Sequence, residues 1–486
     1  MKTSGFLLRS TIVAALGGLL FGFDTAVISG AEQTLQEMFA GTYDSLAASM
    51  NNLGFLGRPG FWHGCTTASA LIGTILGAWL ASKPSDVLGR RKTLLLLAIL
   101  YLVSAIGSAF AWDWWSFIIA RFIGGLAVGG SSVVGPIYIA EISPAATRGR
   151  LVALFQFNIV FGILLAFLSN YIIGTLNLGE VEWRWIFGVE AVPAAAFFLL
   201  LLGNPLSPRW LMTRGRTDEA RTVLLNLGVW DVEGELRAIR GSIDLDHHRV
   251  REPFFQRKYL TPILLAFAIA MFNQLSGINA LLYYSQRIFE MAGAGVSDAR
   301  LQSVIVGLTN LVFTMLAVAV IDQFGRKRLM LVGSIGYIVS LSTAAWAFHT
   351  ERGGAIVLIS FMVFIASHAF GQGAVIWVFI SEIFPNRIRA RGQALGSFTH
   401  WFMCAAISWT FPMLVGKADA PGASQAGARV FAFYAGMMVL QLLWVIFVMP
   451  ETKGIPLEQM QEKLGIKPPA QRPAQAADTD GIVEAE

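Results

Sequence analysis

The chain has 486 residues, 55% of them hydrophobic and 14% charged, with a mean hydropathy of +0.60. Soluble domains carry about 25% charged residues, which excludes an ordinary soluble protein. The basic residues sit in short clusters between apolar runs, so nucleic-acid binding is a poor account of the +5 net charge.

Apolar runs of spanning length occur at 9–31, 62–82, 93–111, 116–140, 151–176, 184–203, 259–285, 300–321, 329–349, 355–381, 392–416 and 428–449. None alternates as a transmembrane strand does, so the expected fold is all-α with twelve membrane helices. Lys2 and Arg9 precede the first run, but it has full span length and no small-residue cleavage site, and it reads as a membrane helix rather than a leader. Cys65 and Cys404 each lie inside an apolar run, and no disulfide framework is indicated. With both termini cytoplasmic, the cytoplasmic segments hold 28 of the 36 Lys and Arg residues. Arg121 lies within a run, and the other seven lie in or beside outer loops.

The first run contains one charge between Ser10 and Ala31, Asp24. A carboxylate near a helix centre costs about 2.5–3.5 kcal/mol to insert. Arg121, in "ARFIGGLAVGG", is the basic residue well inside a span, and buried charges survive by pairing, so the two are expected to meet. A static pair locks two helices. A pair that opens and closes instead changes the proton affinity of Asp24, because desolvation and a guanidinium act oppositely on a carboxyl.

Glycines cluster in helix 1 (Gly17, Gly18, Gly22) and helix 4 (Gly124, Gly125, Gly129, Gly130), which permits close backbone approach. The hydrophilic stretch 204–258 separates six runs from six and contains "TDEARTVLLNLG", an expected amphipathic helix. The chain is therefore divided into bundles at 1–203 and 259–449, a linker at 204–258 and a cytoplasmic tail at 450–486, mostly disordered.

Later runs carry amides. "NQLSGINALLYYS" supplies Asn273, Gln274 and Asn279, and Gln274 and Asn279 lie about 140° apart on an ideal helix. They face one cavity only if the helix bends, which Gly277 permits. Gln156 and Asn310 add amides in the fifth and eighth helices, and Trp377 and Trp401 offer aromatic faces. Neutral amides with aromatic faces suit a neutral polyol, and unpaired amides at midplane are costly. The alternative is bonding between helices, and His400 and His368 are read as either substrate contacts or satisfied interior histidines.

The halves repeat. "DVLGRRK" (86–92) recurs as "DQFGRKR" (322–328), "AEISPAATRGR" (140–150) as "SEIFPNRIRARG" (381–392), and "PLSPR" (205–209) as "PETKG" (450–454). Such offsets indicate duplication of a six-helix unit, with a substrate site near the midplane. Asp86, Arg90, Arg91, Glu141, Arg148 and Arg150 in one half, and Asp322, Arg326, Glu382, Arg389 and Arg391 in the other, place both signs of charge at the cytoplasmic helix ends. They are read as a latch that holds when the outer side is open and parts when it closes.

These motifs, in this order and with "QLSGIN", resemble the sugar porters of the major facilitator superfamily over residues 9–460. The resemblance extends to bacterial xylose–proton symporters and animal facilitative glucose transporters. It implies sugar contacts at Gln156, Gln274, Asn279, Asn310 and Trp377. It implies a shorter amide at Asn273, a histidine in place of an amide at His400, and an aliphatic residue at Ile163. It also implies proton coupling through Asp24 and Arg121, assisted by Glu190. Leu206 departs from a usual glutamate. The expected function is proton-coupled import of a monosaccharide, hexose or pentose, by a monomer in a bacterial inner membrane, without nucleic acid, cofactor or metal. The alternatives are a facilitative uniporter, a non-transporting sugar sensor and, third, a drug–proton antiporter. No nucleophile motif, phosphate loop or metal cluster suggests an enzyme.

Overall fold

The computed structural model describes residues 4–144, 147–247, 253–385 and 387–466. It is all-helical among these residues. Twelve spans follow the twelve apolar runs: α1 Gly5–Gly30, α2 Pro59–Leu80, α3 Arg90–Ala109, α4 Trp114–Ile142, α5 Arg148–Thr175, α6 Gly179–Leu201, α7 Arg257–Tyr283, α8 Val296–Ile321, α9 Arg326–His349, α10 Ala355–Ile383, α11 Arg389–Val415 and α12 Ala423–Phe447. α2 bends by 47° into Ser82–Leu88. The tail beyond residue 466, expected to be disordered, lies outside the described residues.

Local chemistry sets the ends. Asp113 accepts the Ser116 N–H at 2.8 Å while Ser116 Oγ accepts the Asp113 N–H at 3.1 Å, a capping box that starts α4. Pro59 opens α2, where its missing N–H costs nothing. Gly89 and Gly325, ahead of α3 and α9, hold the same left-handed backbone (φ 87°, ψ 156° and φ 88°, ψ 156°). The duplication read in "GRRK" and "GRKR" is thus repeated in the chain's dihedral angles.

Close backbone approach follows from the glycines. A Cβ on Gly22 would stand 1.8 Å from the Ile159 carbonyl oxygen, and one on Gly125 would stand 1.8 Å from that of Ala70. These glycines fuse α1 to α5 and α2 to α4. Exposed Trp79, Leu199, Val332 and Phe447 lie on the outside of the molecule, as a lipid-facing surface requires.

The cores divide unequally. At the end carrying the basic motifs, one cluster (Leu7, Leu94, Tyr138, Phe197) belongs to α1–α6, and a separate one (Leu265, Met330, Phe379, Val445) belongs to α7–α12. At the far end a single cluster joins both halves, from Phe23, Trp114 and Phe187 to Tyr284, Phe361 and Phe431. Polar contacts between halves fall at that far end too: Tyr284 with Thr67 (2.6 Å), Trp409 Nε1 to the Phe61 carbonyl (2.9 Å), and Arg300 to Glu182 (2.5 Å). The far end is closed, and the described cores at the basic end stay separate.

Three linker helices, Pro208–Thr213, Thr217–Asn226 and Val232–His247, bury Trp210, Leu211, Leu224 and Leu236 against one another. Trp210 Nε1 and Arg214 Nη2 each donate to the Asp86 carbonyl at 2.9 Å, docking the linker on the N-terminal half.

Candidate functional site

Asp24 and Arg121 meet. Arg121 Nη1 donates to Asp24 Oδ1 at 2.5 Å, both side chains are buried, and the guanidinium lies 5.2 Å from the Phe187 ring centroid. Glu190 stands at the break in α6 between Glu182–Gly188 and Ala191–Leu201. It is buried, close enough for its charge to act on both partners, and its Oε1 has no hydrogen-bond partner. Two carboxyls around one guanidinium leave one carboxyl without a matching charge.

The amide cluster forms because α7 breaks. Its regular helix ends at Leu275, Gly277 takes φ +85°, and a short turn Ile278–Tyr283 follows. A straight helix would separate Gln274 and Asn279. The break instead lets Asn279 Nδ2 donate to Gln274 Oε1 at 2.6 Å. Gln274 Nε2 donates to Asn273 Oδ1 at 2.9 Å and lies 3.2 Å from His400 Nδ1 of α11. The His400 ring stands 5.2 Å from Trp377 and 5.1 Å from Trp401, and Trp401 lies 5.5 Å from Phe21 of α1. Trp377 is 40% exposed. Donors, acceptors and aromatic faces of the C-terminal half therefore gather here, and Phe21 of the other half meets them at Trp401. Gln274 is bonded to Asn273 and Asn279 and lies within hydrogen-bond distance of His400.

Two expected members stand apart. Asn310 is buried in α8 and accepts from Thr314 Oγ1 at 3.3 Å. Gln156 is half-buried in α5, without a hydrogen bond to the amide cluster. His368 Nδ1 lies 2.6 Å from the Tyr337 hydroxyl, a satisfied interior histidine.

At the basic end the charges pair within each half. Arg90 joins Asp86 (3.2 Å) and Glu141 (3.0 Å), and Ser207 Oγ donates to Glu141 at 2.5 Å. Arg326 joins Glu382 at 2.8 Å, and Thr452 donates to the same carboxylate. Arg91 and Arg148 donate to backbone carbonyls of Leu201, Leu202 and Ser143, Arg150 is exposed, and Arg389 and Arg391 open α11. The side chain of Asp322 lies outside the described residues. With the far end closed these pairs are formed, and each of them ties neighbouring helices of one half.

Arg287 is one of the charges expected in or beside outer loops. It is fully buried, paired with Glu32 at 2.6 Å and close to His63. Neither carboxylate nor imidazole stood out in the sequence. The available signal was positional: Glu32 and Arg287 each follow the first spanning helix of a half, with opposite charge.

The family model described as "Sugar (and other) transporter" matches residues 10–464. The chain belongs to that family. The D-xylose–proton symporter of Escherichia coli K12 is 36% identical over 481 residues, covering 94% of this chain and 96% of the relative. The arabinose–proton symporter of Bacillus subtilis is 35% identical over 469 residues, covering 95% and 96%. The inward-open structure of the xylose transporter XylE from E. coli superposes with a TM-score of 0.79 at 34% identity, covering 94% of this chain and all of that one. This member of the sugar transporter family is a multi-pass membrane protein and a transporter rather than an enzyme.

Proposed function

We propose that this protein imports a monosaccharide, pentose or hexose, together with a proton, as a monomer in a bacterial inner membrane with both termini and the basic end in the cytoplasm. The observation that carries this reading is the buried Asp24–Arg121 pair with Glu190 beside it, in a state whose far end is closed. Parting the pair inside the protein costs several kcal/mol if the carboxyl stays charged. A proton taken from outside neutralises Asp24 and lets Arg121 go, which permits the halves to tilt with the outer end open. The amides of α7 and His400, with Trp377 and Trp401 beside them and Gln156 and Asn310 from α5 and α8, then hold the sugar's hydroxyls and C–H faces. The two relatives named as proton symporters support the choice of a driving ion.

The test is uptake of a labelled pentose and hexose panel into vesicles, with and without an imposed pH gradient. Accumulation above equilibrium when the outside is acid, abolished by a protonophore, is the expected result. Equilibration that ignores the gradient overturns coupling and leaves a uniporter.

A further inference from the structure

The far end is held by a buried charge cluster that the transport reading does not use. Arg287 donates from Nε to Glu32 Oε1 at 2.8 Å and from Nη2 to Glu32 Oε2 at 2.6 Å, a bidentate pair. It also donates to the Gly416 carbonyl at 2.7 Å and to Gln36 Oε1 at 2.5 Å. His63 Nε2 lies 3.1 Å from Glu32 Oε2 and 3.4 Å from Arg287 Nη2. All three side chains are completely buried. Glu32, Gln36 and His63 belong to the N-terminal half, Arg287 and Gly416 to the other, so the cluster bridges the moving parts.

Every titratable neighbour can be placed. The Tyr43 ring centroid is 5.8 Å from that of His63, and its hydroxyl bonds Thr66. Tyr284 lies 5.8 Å under the Arg287 guanidinium, its hydroxyl between Thr67 and the Ser408 carbonyl. Cys65 is two residues along α2 from His63, and Glu290 is occupied by Gln33 and Gln286. Burial pushes the Glu32 carboxyl up, but Arg287 and the His63 hydrogen bond outweigh it and hold it below its ordinary value. Glu32 is therefore an anion.

One carboxylate, one guanidinium and a neutral imidazole sum to zero charge. A protonated imidazole would add a second cation beside Arg287. It would also present an N–H at Nδ1, which is buried with no hydrogen-bond partner. The closed end thus accommodates the neutral ring, its Nε2–H on Glu32. When the far end opens, Arg287 departs with its half, and water reaches Glu32 and His63, which stay together. There the ring, reached by water and still beside the Glu32 carboxylate, is free to take a proton.

We propose that Glu32, Arg287 and His63 form a lock on the far end that outside protons release, His63 binding a proton in the open state and returning it to the same side on closing. The lock biases the carrier without adding to the protons carried per sugar.

Pulsed spin-label distances across the far end test this. The full chain is placed in nanodiscs with Cys65→Ser, Cys404→Ala, Asp24→Asn and Glu190→Gln, the last two removing those carboxyls' own responses. Labels are attached at Ser45→Cys and Ser297→Cys, both exposed. The long-distance population is expected to rise several-fold from pH 8 to pH 5 in this parent. His63→Gln should flatten that response, while Arg287→Gln and Glu32→Gln each raise the open population at pH 8. A pH response that survives His63→Gln, or a closed population unchanged in both Glu32→Gln and Arg287→Gln, overturns the proposal.

Discussion

Asp24 and Gln274 carry the sharpest residue-level expectations. Asp24→Asn removes the charge that holds Arg121 at 2.5 Å. It should abolish uphill accumulation while sparing counterflow exchange, and concentrative uptake that persists in this variant contradicts the coupling role. Gln274 bonds Asn273 and Asn279 and touches His400, so Gln274→Ala strips partners from three side chains. Each lost bond in a buried network is worth about 1–3 kcal/mol, and apparent sugar affinity should fall roughly tenfold or more with the protein still folded in the membrane. Both residues were legible in the sequence, since a lone charge or amide in an apolar run announces its own cost. Arg287 was not. It lies just past a run, where composition cannot separate a solvated charge from a buried one, and its partner Glu32 is 255 residues away.

Helix ends and breaks form the next scale. Gly277 sits at φ +85°, and a Cβ there would stand 2.5 Å from the Tyr434 ring. Gly277→Ala should cost about 1–2 kcal/mol in backbone strain alone and separate Gln274 from Asn279, reducing transport more than membrane abundance. The sequence pointed to this break, because two amides 140° apart need it, whereas the π turn at Ala369–Gly373 in α10 left no comparable trace. At the start of α9, Glu451 accepts the backbone N–H groups of Arg326 and Lys327. Partial burial raises its carboxyl, but those bonds and the Thr452 and Lys453 N–H groups hold it below its ordinary value. A depressed carboxyl stabilises the fold above its unfolded pKa, about 4.3, and that contribution is lost as pH falls through the lower folded value. Thermal melting followed from pH 7 down to 3.5 should show an acid loss that Glu451→Gln removes. In the N-terminal half Leu206, a side chain without an acceptor, occupies the position that repeats as Glu451. Leu206→Glu is expected to supply that missing cap and raise stability by about 1 kcal/mol, read as a higher melting temperature.

The whole molecule is a two-bodied carrier caught with one end shut. Its twelve spans and internal repeat were readable from hydropathy and motif spacing, because lipid forces long apolar helices and duplication preserves order. Which end is closed was not readable: both states use the same helices, and the difference lies in whether Glu32 finds Arg287 and whether Phe23 shares a core with Phe431. Cysteine accessibility follows the orientation. A residue at the exposed Arg150 position should label only from the cytoplasmic side, and labelling from outside would invert the proposed topology.

Along α1 and α5 the main chains touch: a Cβ on Gly18 would reach the Phe155 carbonyl, one on Gly22 that of Ile159, and one on Gly162 that of Leu19. No cushion of side chains separates the two rods, so neither slides along the other without lifting off. Asp24 rides on one and Gln156 on the other. The acid group and that amide therefore travel as passengers on a single plank, and any change in their spacing during a cycle comes from side-chain swing, not from helix travel.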